Sequence, residues 1–249
     1  MSSKSKIIYY AQRAIELSAN PYALYLKSQG GIADLYIRLN KPWFHQLNID
    51  TVLDIGGNIG LFSKTMRQML PDAQIYAFEP LPDCYAQMSN RMKGDKKYQG
   101  FNCGLGEKEE TLLIQKNSHA PSSSFLELGD KHKEAFPFTA ESEKISVPVR
   151  RLDDMAQDLN LGKNIMIKVD VQGFEDKVLR GGLKTFDKAK LLIMELSYQE
   201  LYKGQPLFND IYQELAKLGF QFQGTMAQMA EPNTQELLDA DCIFIKKRD

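Results

Sequence analysis

Thr51-Val52-Leu53-Asp54-Ile55 runs without a break into Gly56-Gly57-Asn58-Ile59-Gly60, and a helical repeat follows at once, with Ile59, Phe62, Met66 and Met69 on one face before Pro71. No other stretch limits the fold so tightly. A short apolar run that does not alternate reads as a strand buried on both faces, which is the position of strands in parallel α/β sheets. Strand, glycine turn and helix in succession form the unit that binds nucleotides at the carboxyl end of such a sheet. Gly56 and Gly60 lack the Cβ that would obstruct a close approach there, and Asn58 tolerates a left-handed backbone. Exposed amides at the start of the helix suit a carboxylate.

The same alternation continues along the chain. Strands are expected at Gln74–Phe78, Tyr98–Cys103, Thr111–Ile114, Ile145–Val149, Asn164–Val169 and Leu191–Glu195, with helices at Asn58–Leu70, Pro82–Met92, from Asp153, and around Leu207–Leu218. Phe220–Phe222 and Cys242–Lys246 can close the sheet as an antiparallel hairpin. Two helical repeats precede the sheet, one ending before Asn20-Pro21 and one before Pro42. The expected architecture is α/β, a mostly parallel sheet with helices on both faces, a terminal antiparallel hairpin and a helical extension over residues 1–45. Residues 46–249 form the main domain. Periodicity fails between 115 and 144, which marks that stretch as a lid or acceptor loop.

Composition excludes several classes. With 249 residues, 43% hydrophobic and 25% charged, the chain is long and apolar enough for a full core. A net charge of -1 supplies no global field for a polyanion, so no nucleic-acid partner is expected. No apolar stretch is long enough for a membrane span. The cysteines Cys84, Cys103 and Cys242 are odd in number and widely spaced, which fits a reducing cytoplasm better than a disulfide framework. Self-association is left open.

Two further clusters carry chemistry. Glu79 ends the strand after the glycine turn and precedes Pro80; a carboxylate there can accept both hydroxyls of a ribose. The GxGxxG spacing of dinucleotide enzymes is absent, since Asn58 stands at the second glycine, so the loop suits S-adenosylmethionine better than a pyrophosphate. Asp170, in Asp170-Val171-Gln172-Gly173-Phe174-Glu175, ends a strand that opens on the same crevice, where it can take a proton from an acceptor hydroxyl. The plainer role for it is a helix cap. Glu195 ends the neighbouring buried strand and either assists Asp170, contacts acceptor hydroxyls, or pairs with a Lys or Arg. His119, beside Ser122-Ser123-Ser124, and His132 lie in the irregular stretch and are candidates for closing over the site. No metal is expected, because Asp170 and Glu195 alone are a weak ligand set. A nicotinamide oxidoreductase and a non-catalytic cofactor-binding regulatory protein are the competing readings.

VLDIGGNIG, AFEP, NCGLGEKEETLLI, SSSF, VRRLDD, IKVDVQGFE with VLRGG, and IMELS occur in that order between Thr51 and Ser197. The series resembles the motifs of the FkbM-type methyltransferases. The resemblance implies a class I Rossmann-like methyltransferase fold, S-adenosyl-L-methionine as donor, and O-methylation of a hydroxyl on a sugar, glycan or natural-product small molecule. It assigns Asp54, Gly56, Asn58 and Gly60 to the donor loop, Glu79 to the ribose, Asp170 to the fourth-strand acid, and Ser124 to the serine before the lid. Pro80 and Asn102, within the AFEP and NCGLG motifs, are assigned with them to the donor. Gln172 departs from the family pattern, which often carries Glu there.

Overall fold

The computed structural model describes residues 11, 15–117, 123–135 and 142–246. Its main sheet has seven strands: β1 (Thr51–Ile55), β2 (Gln74–Phe78), β3 (Tyr98–Phe101), β7 (Ile165–Val169), β8 (Ala189–Ser197), β9 (Phe220–Ala230) and β10 (Leu237–Lys246). They are ordered β3-β2-β1-β7-β8-β10-β9. β10 pairs antiparallel with both neighbours, while β3, β2, β1, β7 and β8 are mutually parallel. A smaller sheet, β4-β6-β5, joins β4 (Gly104–Leu105), β5 (Glu110–Asn117) and β6 (Ser142–Arg150). β5 and β6 reach further into the 115–144 stretch than the apolar pattern indicates, and a helix, Asp130–Ala135, lies between them.

Every residue of β1 and β7 is buried, because apolar layers cover both faces. One layer includes Leu53, Ile167, Val178 and Phe186; the other includes Val52, Phe62, Met66 and Met166. Leu35, Leu39 and Phe44, from the helices Ala33–Leu39 and Pro42–His45, belong to the second layer, so the N-terminal helices share the sheet's core. Two prolines behave differently from the sequence expectation. Pro21 and Pro42 do not merely end preceding helices; each sits in the first turn of a new one, where the missing N–H has no partner to lose.

This strand order sets the location of the site. The chain leaves β1 toward β2 on one side and later returns on the other to lay down β7, so a crevice opens beyond the carboxyl ends of β1 and β7. The turns after these two strands touch. Asp170 N–H donates to Ile55 O at 3.1 Å, and a Cβ added to Gly56, at φ 78°, would lie 1.9 Å from the Asp170 carbonyl oxygen. Gly60, at φ 83°, likewise abuts Met88 of the helix Pro82–Arg91. The space freed by both glycines is thus filled by the protein itself, by the turn after β7 at Gly56 and by a helix at Gly60, which fixes the loop's path.

Candidate active site

Two cavities open from this crevice. The first, of about 760 Å³, is walled by Asn58, Phe78, Glu79, Pro80, Ser123 and Phe125, among others, and reaches Asp170, Gln172 and Glu195. Phe78 stacks on Phe101 with ring centroids 5.0 Å apart, which stiffens its floor. The second, of about 860 Å³, lies between the N-terminal helices and the β9–β10 hairpin, with Arg38, Phe62, Lys168, Met226 and Asp241 in its wall. Gly56, Asn58 and Asp170 line both.

Glu79 is buried at the end of β2. Its Oε2 accepts the Asn58 N–H at 2.8 Å and its Oε1 the Leu81 N–H at 2.9 Å, so the carboxyl group orients the glycine turn as well as facing the cavity. Each oxygen retains a second lone pair for a hydroxyl donor. Burial pushes Glu79 up to about 7, against the pull of those two N–H groups. Asn58 has φ 47°, and its buried Oδ1 has no hydrogen-bond partner. An orphaned buried acceptor in the wall of both cavities is what a ligand bearing hydroxyl or ammonium donors requires. Residues of this chain therefore fit an adenosyl donor.

Asp54 and Gly60 sit behind the cavity walls rather than in them. Asp54, fully buried, accepts Ser63 Oγ–H at 2.6 Å, while its Oδ1 lies 3.8 Å from Lys168 Nζ and is otherwise unpartnered. Asn102 does not line either cavity; its amide donates to the carbonyls of Glu79 and Pro80 at 2.9 and 3.0 Å and holds the end of β2. Ser124 also stands back, donating to Gln172 O at 2.5 Å, whereas its neighbour Ser123 lines the cavity. His119 lies outside the described residues. His132 is buried and packs on the Tyr202 ring at 5.4 Å, away from both cavities; burial lowers its pKa. Cys84 and Cys103 face the first cavity as neutral thiols, each pushed up to about 11 by burial.

Asp170 and Glu195 are brought together. Gln172 Nε2 donates to Asp170 Oδ1 at 2.9 Å and to Glu195 Oε2. Among the described residues no ion pair reaches Glu195. Burial, with the negative groups Asp170, Asp239 and Asp241, raises Glu195 well above the usual carboxyl range. Asp170 is different: burial opposes its charge, but Lys168 Nζ at 3.2 Å and the Gln172 amide outweigh it and hold the carboxyl below its ordinary value. Lys168, a buried cation that also donates to Gly56 O at 2.8 Å, was not singled out from the sequence. Its sign is there all the same, since a lysine interrupts the buried run Ile165-Met166-Ile167-Lys168-Val169. No group of three or more His, Cys, Asp or Glu side chains among the described residues is arranged to hold a metal ion.

This many buried acids gives the ligand-free chain a pH-dependent stability. Glu79, Glu175 and Asp239 stand near 7 and Asp241 near 6, all raised by burial. The folded chain therefore keeps protons that the unfolded chain releases from about pH 4 upward, and this contribution is lost as pH rises through 6 to 7. Asp170 acts in the opposite sense only below its ordinary value of 3.8; His132, lowered by burial, also acts in the opposite sense, below about 6.5, as one group against four. The melting temperature of the ligand-free protein is expected to fall by several degrees between pH 5.5 and 8; a scanning calorimetry series that stays flat or rises contradicts these assignments.

The family model described as "Methyltransferase FkbM domain" matches residues 54–222. The 2-O-methyltransferase NoeI of Sinorhizobium fredii is 29% identical over 160 residues, which cover 62% of this chain and 66% of that protein. Methyltransferase sdnD of Sordaria araneosa is 33% identical over 153 residues, 52% of this chain and 59% of the relative. The chain thus spans less than two thirds of the length of these relatives. The solved structure of magnesium protoporphyrin IX methyltransferase (ChlM) from Synechocystis PCC 6803 with bound SAM aligns with a TM-score of 0.45 at 11% identity, covering 95% of this chain and 82% of that one. The family model takes in well over half of the residues, from the acid of the glycine turn to the terminal hairpin: the chain belongs to the FkbM methyltransferase family.

Proposed function

We propose that this protein transfers the methyl group of S-adenosylmethionine to a hydroxyl oxygen of a small molecule or glycan. The observation that carries the reading is the meeting of two cavities at Asp170, one suited to the donor and one left for an acceptor. S-adenosylmethionine, when bound, supplies an electrophilic methyl group carried on sulfur. Glu79 accepts the ribose hydroxyls, and the unpartnered oxygen of Asn58 accepts a further donor hydrogen. Asp170 holds an acceptor hydroxyl at the junction and takes up its proton, and Lys168 keeps Asp170 ionised and ready to do so. Leu35, Phe62 and Met226 give the second cavity an apolar stretch for the carbon skeleton of the acceptor, and Asp34, Arg38 and Asp241 give it polar groups for further hydroxyls. Oxygen as the acceptor atom is supported by the name of the relative NoeI.

No described helix is long and apolar enough to cross a membrane, and the three buried free cysteines suit a reducing cytoplasm. Incubation of the full chain with methyl-labelled S-adenosylmethionine and cell extract tests the reading. Label appearing in a small molecule or glycan as a base-stable methyl ether supports it. Label confined to nucleic acid, or no transfer at all, rejects it.

A further inference from the structure

Gln172 sits in the turn after β7 with a left-handed backbone, φ 56°, and is held at both ends. Its carbonyl accepts Ser124 Oγ–H, and its side-chain Oε1 accepts Tyr202 O–H at 2.6 Å. The Asp170 carboxylate, which can only accept, takes one Nε2 hydrogen; the other faces Glu195, and the amide oxygen is left to the Tyr202 hydroxyl. Tyr202 is in turn fixed: it is buried, and its N–H is taken by Gln205 Oε1 at 2.5 Å. We infer that Gln172 is a positioning residue, a neutral amide oriented by Tyr202 that bridges Asp170 and Glu195 and keeps Asp170 the charged member of the pair. The inference rests on the proposed role of Asp170 at the reaction centre.

The surroundings explain why the bridging group is an amide. Lys168 on β7 contacts Asp170, whereas Asp54 on β1, Glu175 on the helix after the turn, and Asp239 and Asp241 on β10 all add negative charge around the pair. One cation cannot keep both carboxyl groups ionised here, and the unpaired member, Glu195, retains its proton. A third carboxylate at position 172 would add repulsion and remove both N–H donors. The amide instead stabilises charge on Asp170 and accommodates a neutral Glu195.

Carbon-13 NMR of protein labelled at the Asp and Glu side-chain carboxyls, with Asp170→Asn and Glu195→Gln used for assignment, reads both titrations without requiring the acceptor. In the unaltered protein the Asp170 midpoint is expected below that of Glu195. Gln172→Leu, of similar size but without the donors, should raise the Asp170 midpoint by about one unit, a tenfold change in its ionisation constant. Tyr202→Phe keeps the ring and frees the amide, so a smaller rise in the same direction is expected, and this variant decides the matter if Gln172→Leu does not fold. An Asp170 midpoint at or above that of Glu195 in the unaltered protein overturns the inference, as does an unmoved midpoint in the folded variants. Calorimetry with S-adenosylhomocysteine on the same samples reports donor binding separately, so failure of the methyltransferase reading is distinguishable from failure of the bridge.

Discussion

Asp170→Asn is expected to reduce methyl transfer by about 10² to 10⁴-fold while the affinity for S-adenosylhomocysteine changes by less than about threefold. The asymmetry follows from position. Asp170 lies where the two cavities meet, so on the proposed reading its carboxylate is required when an acceptor hydroxyl loses its proton rather than when the donor binds. Asparagine preserves the size of the side chain and leaves Lys168 its contact with Asp54, so the fold is kept. Turnover is measured with labelled S-adenosylmethionine and the acceptor fraction from extract. A loss smaller than tenfold in a variant that still binds the product would remove Asp170 from the chemistry and leave it the role of counter-ion to Lys168.

Lys168→Met is expected to cost about 3–5 kcal/mol of stability, the usual consequence of removing one partner of a buried ion pair. For a chain of this size that corresponds to a melting temperature roughly 6–20 °C lower. The lysine neutralises Asp54, which is fully buried, and Asp170, which is about a third exposed, and it also ties the Gly56 carbonyl to β7. Methionine fills the volume and leaves two acids without a cation. Those acids can protonate, so the deficit should shrink as pH falls from 8 to 5; that trend distinguishes lost charge pairing from lost packing. A deficit below 1 kcal/mol at pH 8 in denaturant titrations would show that Lys168 is not the counter-ion of this site.

The parts of the fold that were legible in the sequence are those where burial is uniform. β1, β2 and β7 read correctly because strands covered on both faces need apolar side chains at nearly every position. The edge strand β9 reads as a strand only at Phe220–Phe222, although it runs to Ala230, because only Phe220 and Met226 are buried and its register is interrupted, leaving no sustained alternation. Asp54, Glu79, Asp170 and Glu195 stood out as acids at strand ends. Lys168 was hidden within its strand, and Tyr202 in a turn without periodicity, since its hydroxyl meets Gln172 only through the tertiary fold, across 30 residues of chain. The resemblance points to Ser124, yet Ser123 lines the cavity, since a turn decides which of two adjacent hydroxyls faces it.

Calorimetric titration of the full chain with S-adenosylhomocysteine, alongside Glu79→Ala, tests the central assignment. The account predicts saturable binding at one site per chain, weakened about tenfold or more when the carboxylate that receives the ribose is lost, with the variant's folding verified by its melting curve. No heat of binding to the unaltered protein, or equal affinity in a folded Glu79→Ala chain, would contradict it.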